Sequence, residues 1–151
     1  MSTIVVGYDG SPAARAAVNY AVGRAGSDGK LVIVHTYTVS SDALGQPDRG
    51  MRMADAVSAA ERVIAELPAA CPSLAGVKYE TDTLCSDPAE ALCRIAELRK
   101  ADEIVLGTRG VGRVRGLLGS VAHDVLHRAT CPVVSLPARA VVDIDDRATV
   151  S

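Results

Sequence analysis

Short apolar runs alternate along the chain with segments whose apolar residues recur at helical spacing. Five runs rich in β-branched residues predict buried strands. They cover residues 3–8, 31–37, 77–83, 103–107 and 131–137. Four segments with apolar residues three or four positions apart predict helices over 13–25, 53–67, 88–100 and 120–129. The third run alternates apolar and polar residues, so we expect it nearer a sheet edge than the others.

Helix boundaries are marked by residues that suit caps. Ser11 followed by Pro12, and Asp87 followed by Pro88, each place a capping side chain before a proline at the first helical position. Glu90 adds the acid of a capping box to the second of these starts. The first helix is expected to end in the segment 26–29 and the second at Pro68.

Strands separated by helices imply parallel pairing with right-handed crossovers. The pattern therefore predicts an α/β protein with a single doubly wound sheet and helices on both faces. In such sheets ligands bind beyond the carboxyl ends of the strands, where the strand order reverses. That rule directs attention to Asp9, Thr36 and Gly107.

Composition narrows the class of protein. Apolar residues make up 48% and charged residues 23% of the 151 residues, which excludes a disordered chain. We expect one domain over 1–137 and a polar, acidic tail over 138–151, with a candidate short strand at 141–142. The segment 38–50 is polar, contains glycine and proline, and is long enough for a functional loop.

The aromatic content is low: four tyrosines, no phenylalanine and no tryptophan, against 24 alanines. We therefore expect thin helices packed closely on β-branched strands. The net charge of −2 and the lack of an aromatic stacking surface argue against a nucleic-acid partner.

The sequence predicts neither a membrane segment nor export. No apolar run approaches the ~18 residues that span a bilayer, and the first strand follows Met1 and Ser2 without a leader, so a cytoplasmic location is expected. The cysteines form no CxxC pair, which argues against a zinc site or redox motif and favours reduced, mostly buried thiols. They are Cys71, Cys85, Cys93 and Cys131.

The segment from Gly107 to Ser120 contains five glycines, three arginines and no acid. Glycine-rich backbone forms anion nests, arginines add positive charge, and Gly119 with Ser120 opens a helix whose N–H groups favour a phosphate. We therefore predict phosphate binding here; the alternative is a surface loop with solubilising charge. The P-loop motif is excluded because Arg113 and Val114 stand where it needs lysine and a hydroxyl.

Asp9 directly follows the first strand. A carboxylate at this place can accept hydrogen bonds from ribose hydroxyls or hold a cation, but it can equally stabilise a turn before Pro12. A mononucleotide needs a partner for its ribose and a partner for its phosphates. The acidic strand end and the glycine-rich loop, on opposite sides of a switch point, can provide these two partners. This combination favours the ligand role of Asp9.

No catalytic or metal-binding set is apparent. Ser120, His123 and Asp124 lie in one helical stretch, which argues against a nucleophile triad. His123 and His127 have the i, i+4 spacing of zinc ligands but no third ligand beside them, which favours a half-exposed helix face. His35, in a buried strand, is expected to be a core histidine with a satisfied hydrogen bond.

Four stretches together resemble the universal stress protein family. They are Val5-Val6-Gly7-Tyr8-Asp9-Gly10-Ser11, Leu31 to His35, Gly107-x-x-Gly110 with Gly119-Ser120-Val121, and Ala129-Thr130-Cys131-Pro132-Val133-Val134. The resemblance runs over about 3–136. The nucleotide motif of the family is G-x2-G-x9-G-[ST], whereas here eight residues separate Gly110 from Gly119.

The resemblance implies a Rossmann-like, adenine-nucleotide α-hydrolase-like sheet of five parallel strands in the order 3-2-1-4-5. It implies ATP as the ligand, with or without Mg²⁺, and AMP or cyclic AMP as alternatives. Asp9 would hold the ribose and the backbone at Thr36 the adenine, between aliphatic groups unless Tyr8 or Tyr37 stacks on the base. The implied nucleotide-binding residues are Gly7, Asp9, Thr36, Gly107, Arg109, Gly110, Gly119, Ser120 and Val121.

We therefore expect an ATP-binding stress-response regulatory protein. A homodimer through the last strand, from Cys131 to Leu136, is expected because an edge strand with an apolar side favours pairing with a second chain. The alternative cover for that edge is the tail beyond Ala138. No base or nucleophile is placed at the phosphates, so binding rather than catalysis is expected. Two other functions stay open: a slow ATPase with Mg²⁺ on Asp9, and a dimeric scaffold that has lost nucleotide binding.

Overall fold

The computed structural model describes residues 1–39, 49–108 and 118–138. Several predictions lie outside these residues: the strand at 141–142, the tail beyond 138, most of the 38–50 loop, and the roles of Arg109 and Gly110. Within the described residues, no helix is both long and apolar enough to cross a membrane.

Five parallel strands form one sheet. They are β1 (Thr3–Gly7), β2 (Lys30–Tyr37), β3 (Lys78–Cys85), β4 (Glu103–Gly107) and β5 (Val133–Leu136). Their order is β3-β2-β1-β4-β5, which confirms the predicted fold class and strand order. The third strand lies at one edge, as its alternating pattern predicts.

Helices cover both faces of the sheet. They are α1 (Pro12–Ala25), α2 (Arg49–Ala65), α3 (Leu67–Ala70), α4 (Pro88–Arg99) and α5 (Ser120–Arg128), with a 3₁₀ turn at Pro72–Leu74. Two boundaries differ from the prediction. The helix α2 begins at Arg49, inside the segment expected to be a loop. Pro68 does not end the helical path, because it lies in the first turn of α3, where a missing N–H is tolerated.

The predicted starts of α1 and α4 are confirmed. The Ser11 hydroxyl accepts a hydrogen bond from the N–H of Ala14 at 3.1 Å and caps α1. A carboxylate oxygen of Asp87 accepts a hydrogen bond from the N–H of Glu90 at 3.0 Å and caps α4. The helix α1 ends at Gly26, whose φ of 66° is a conformation that glycine adopts without strain.

The core forms two layers, one on each face of the sheet. One layer packs Ile4, Val6 and Ile33 against α1, and the other packs Val5, Val32, Ile104 and Leu106 against α4 and α5. The buried face of α1 consists of Val18 and six alanines. Thin helices therefore approach the β-branched sheet closely, as the composition predicts.

All four cysteines are unpaired. Cys71 and Cys93 are buried, Cys131 is half-buried and Cys85 is exposed. Burial raises the pKa of the Cys71, Cys93 and Cys131 thiols, because it disfavours the charged thiolate. These three side chains therefore behave as small apolar groups of the core.

The strand order reverses between β1 and β4. The chain leaves β1 through α1 toward β2 on one side, and it leaves β4 through α5 toward β5 on the other. The carboxyl ends of β1 and β4 therefore border a crevice between diverging connections. Ligands bind at this place in sheets of this type.

Candidate functional site

A cleft of about 390 Å³ opens at the carboxyl ends of β1, β2 and β4. This volume lies within the range of roughly 300–1,000 Å³ that small-molecule sites occupy. The described lining residues are Gly7, Tyr8, Asp9, Ser11, Ala14, Val34, His35, Thr36, Pro88, Leu92, Leu106, Gly107, Thr108, Gly119, Ser120, Val121 and Ala122.

Seven of the nine predicted site residues line this one cleft. They are Gly7, Asp9, Thr36, Gly107, Gly119, Ser120 and Val121. Arg109 and Gly110 lie outside the described residues. The fold thus brings together residues from the first, second and fourth strand ends and from the start of α5, and their contact with a ligand stays a prediction.

The wall of the cleft between β1 and β2 is held by His35. The N–H of Tyr8 donates to the carbonyl oxygen of Val34 at 2.9 Å, which continues the pairing of the two strands. The imidazole Nδ1 of His35 lies 2.8 Å from the carbonyl oxygen of Tyr8. His35 is buried, which confirms the expected core histidine with a satisfied hydrogen bond.

Asp9 forms the turn that joins β1 to α1. Its Oδ1 accepts a hydrogen bond from the N–H of Ser11 at 2.9 Å, and Gly10 between them has a φ of +80°, which favours glycine. The turn interpretation of Asp9 is therefore confirmed. The same exposed carboxylate also lines the cleft, so it remains available to a ligand.

Three helices begin beside the cleft, and their N-termini differ. Ser11 caps α1 and Asp87 caps α4 with side-chain oxygens. The N-cap of α5 is Gly119, which has no side chain that could cap the helix. The first N–H groups of a helix have no acceptor within it and carry the positive end of its dipole. The start of α5 is therefore the best place in the cleft for an anion.

A backbone hydrogen bond connects Thr108 and Gly119, near the two ends of the glycine- and arginine-rich segment. The N–H of Gly119 donates to the carbonyl oxygen of Thr108 at 2.7 Å. Thr108 is in turn bound to β5, because its N–H donates to the carbonyl oxygen of Leu136 at 2.7 Å, and its hydroxyl lies 3.1 Å from that of Ser135. Thr108 and Gly119, on either side of the segment 109–117, both line the cleft.

Gly107 is required by helix packing as well as by its place in the cleft. A Cβ on Gly107 would lie 2.7 Å from the Cβ of Ala13 and 3.1 Å from the N of Ala14. The sequence pattern alone predicts that the glycines of this segment allow close approach of a ligand. For Gly107 the structure adds a second reason, since the end of β4 touches the first turn of α1.

Several residues that line the cleft are not predicted from the sequence. They include the apolar side chains of Ala14, Val34, Leu92 and Leu106. Val34 and Leu106 lie in the last four residues of β2 and β4, so their nearness to a strand end is the one signal in the sequence that could have found them. Leu92 belongs to α4, and no pattern in the sequence tells which strand end this helix crosses.

Tyr8 lines the cleft, but its side chain belongs to the core. It is 5% exposed and packs in the same layer as α1. Burial, together with the neighbouring Cys71, raises the pKa of Tyr8 to about 12. Tyr37 does not line the cleft. The apolar side chains that line the cleft are therefore mainly aliphatic.

His123 and Asp124, two of the residues considered for a triad, are neighbours in α5. His123 and Asp124 touch each other, with Nδ1 and Oδ1 3.4 Å apart, on the exposed surface of α5. In the part of the chain that the structure describes, no three or more histidine, cysteine, aspartate or glutamate side chains form a group that could hold a metal ion.

The model of the universal stress protein family matches residues 1–137. The chain belongs to this family. A universal stress protein of Thermus aquaticus is 41% identical over 135 residues, which are 87% of this chain and 96% of the relative. The match therefore extends over almost the whole of both proteins.

Two solved structures have a similar fold. The hypothetical protein MJ0577 has a TM-score of 0.78 at 19% identity, with 90% of this chain and 95% of that chain covered; this likeness concerns the fold. A universal stress protein in complex with cAMP has a TM-score of 0.60 at 28% identity, with 91% and 97% covered.

Proposed function

We propose that this universal stress protein is a cytoplasmic stress-response regulator that binds an adenine nucleotide, ATP first among them, in the cleft at the ends of β1, β2 and β4. The observation that carries the proposal is that the N-terminus of α5, with glycine at its N-cap, shares one cleft with the Asp9 carboxylate. The cAMP complex of a relative with the same fold supports an adenine nucleotide as the class of ligand. The proposed binding domain spans 1–137, the stretch that the family model matches.

The base is proposed to lie toward β2. Val34 offers aliphatic surface on that side, and Leu92 and Leu106 add aliphatic surface beside Gly7 at the end of β1. Burying apolar surface contributes about 25 cal/mol per Å². The backbone of Thr36 lies at the end of the strand and provides a carbonyl and an N–H for the adenine edge. Selectivity for adenine then rests on backbone hydrogen bonds rather than on ring stacking.

The ribose and the phosphates are proposed to lie on the other side of the cleft. Asp9 accepts hydrogen bonds from the ribose hydroxyls with the carboxylate that also forms the turn to Ser11. The N–H groups of Ser120 and Val121, with the dipole of α5, hold the phosphates. Arg109 and Gly110 are proposed to add charge and backbone contacts there.

Binding without efficient hydrolysis fits the described lining. Asp9 contributes the one carboxylate among the described lining residues, and one of its oxygens already accepts the Ser11 N–H. Mg²⁺ prefers several oxygen ligands in octahedral geometry. A bound Mg²⁺ would therefore depend mainly on phosphate oxygens and water, with Asp9 as its candidate protein ligand.

We also propose that the protein acts as a homodimer through β5. This strand is the edge of the described sheet and all four of its residues are half-buried. The carbonyl oxygens of Pro132 and Leu136 accept hydrogen bonds from Ile104 and Thr108. Because successive strand residues bond to opposite sides, Val133 and Ser135 direct their N–H groups away from β4, where a second chain can pair.

The direct test is isothermal titration of the full chain with ATP, AMP and cyclic AMP, with and without Mg²⁺. We expect saturable binding that Asp9→Ala weakens roughly ten- to hundredfold, since a hydrogen bond to a charged group contributes about 1.5–3 kcal/mol. Asp9→Asn keeps an acceptor for the Ser11 N–H and isolates the charge. Asp28→Ala, in the exposed turn before β2, is the control and should bind as the parent does.

Two results would change the proposal. If none of the three nucleotides binds, the proposal is wrong, and a dimeric scaffold without nucleotide binding remains as the alternative function. Steady release of ADP from bound ATP, lost in Asp9→Ala, would make the protein a slow ATPase.

A further inference from the structure

Two histidine rings lie side by side on the surface of α5. The ring centroids of His123 and His127 are 4.5 Å apart, with 56° between the ring planes. Both residues are exposed. They stand four positions apart in one helix, so their side chains lie on the same face, one turn from each other. At this distance one metal ion can contact both rings.

A carboxylate stands beside the first of these rings. Oδ1 of Asp124 lies 3.4 Å from Nδ1 of His123. A carboxylate at this nitrogen favours the tautomer that carries the proton on Nδ1, which leaves Nε2 of His123 with a free lone pair. Histidines that bind metals usually have such a partner at the other ring nitrogen, because it orients the ring and raises its basicity.

We propose that His123 and His127 form a binding site for a divalent transition-metal ion that prefers nitrogen ligands, namely Ni²⁺, Cu²⁺ or Zn²⁺. Imidazole suits these ions, whereas Mg²⁺ and Ca²⁺ prefer oxygen. Asp124 is the positioning residue that orients His123. The described residues provide no third such side chain, so water completes the coordination and the ion exchanges readily, unlike the ion of a closed structural zinc site.

The site links the first and second turns of α5. The N–H of His123 donates to the carbonyl oxygen of Gly119 at 3.0 Å, which closes the first turn of this nine-residue helix. An ion held between His123 and His127 therefore stabilises the helix from its first turn onward. Metal binding and nucleotide binding are separate claims, because the imidazoles are not among the residues that line the cleft.

The test is calorimetric titration of the untagged full chain with Ni²⁺, in a Cys85→Ser background that removes the exposed thiol as a competing ligand. We expect one ion per chain. His123→Ala and His127→Ala should each weaken binding by more than tenfold, and Asp124→Asn by roughly tenfold, as for other partners of metal-binding histidines. Leu126→Ala, an exposed position of the same helix, is the control and should leave the affinity unchanged.

A second measurement needs no substitution in the helix. Titration with Zn²⁺ should shift the ring-proton resonances of His123 and His127 together in the NMR spectrum, while those of the buried His35 stay in place. No saturable Ni²⁺ binding, equal affinity in the two histidine variants and the parent, or a Zn²⁺ effect on one ring alone would each overturn the site.

Discussion

The imidazole Nδ1 of His35 and the main-chain oxygen of Tyr8 are 2.8 Å apart. Because a carbonyl oxygen can only accept, the proton of this hydrogen bond belongs to His35. The bond fixes the peptide that directly precedes Asp9, and Asp9 in turn holds the N–H of Ser11 at the start of α1. One buried side chain on β2 thereby positions the carboxylate of the cleft.

His35→Leu should therefore impair both stability and nucleotide binding. The Tyr8 carbonyl loses its partner in a buried place, which lowers the free energy of unfolding by about 1–3 kcal/mol, and nucleotide affinity should fall as Asp9 loses its support. His35→Asn carries an amide donor near the position of Nδ1 and should recover most of both. Urea unfolding and nucleotide titration of the two variants check this, and equal affinity in His35→Leu and the parent would refute the positioning role.

Gly107→Ala should displace the start of α1. The added methyl would lie 2.7 Å from the Cβ of Ala13, and overpacking of this kind lowers the free energy of unfolding by about 1–3 kcal/mol. Gly23→Ala is the matched control, because this glycine lies within α1 with nothing within 4 Å of an added Cβ. It should stabilise the protein by roughly 0.5–1 kcal/mol. Thermal unfolding distinguishes the two variants: the melting temperature should fall in Gly107→Ala and rise in Gly23→Ala, and changes of the same sign would contradict this account.

His35 and Gly107 show which features of the site can be predicted from the sequence and which cannot. Alternating runs and helical spacings predict the elements, and the strand-end rule finds Asp9 and Thr36. The order of the strands followed from family resemblance, since hydrophobic patterns tell which face of an element is buried but not which element is its neighbour. For the same reason the contact of Gly107 with Ala13 and the place of Leu92 in the cleft depend on tertiary packing that no local pattern encodes.

The pair formed by Tyr8 and Cys71 should make the protein sensitive to alkali. Burial raises the pKa of Tyr8 to about 12 and also raises the pKa of Cys71. Both groups hold their protons more tightly in the folded chain than in the unfolded one. The stability they contribute is complete below about pH 8.5, the pKa of an exposed thiol, and is lost as the pH rises toward 12.

The free energy of unfolding should thus fall steadily between pH 9 and 11 in urea titrations. Tyr8→Phe and Cys71→Ala, combined, remove the two protons in question, and the decline with pH should become shallower. A decline as steep in the double variant as in the parent would show that other groups cause it.

Val133→Pro should separate the proposed dimer without breaking the sheet. Its N–H faces away from β4, so the proline removes a hydrogen bond to a second chain but none within the described sheet. Light scattering should show the mass falling from twice 15.6 kDa to 15.6 kDa, while Val133→Ala, which keeps the N–H, stays a dimer. A dimer that survives Val133→Pro would assign the interface to another surface.

The most direct test of the central claim is ATP binding by Ser120→Pro compared with Ser120→Ala. Gly119 has φ −62° and ψ 153°, which suits a residue before proline, and the first helical position accepts proline. A proline at position 120 is therefore compatible with the backbone at the start of α5 and removes one N–H at the proposed phosphate site, whereas Ser120→Ala removes only the hydroxyl. We predict that Ser120→Pro weakens ATP binding about tenfold or more relative to Ser120→Ala. Equal affinities of these two variants would contradict phosphate binding at the start of α5.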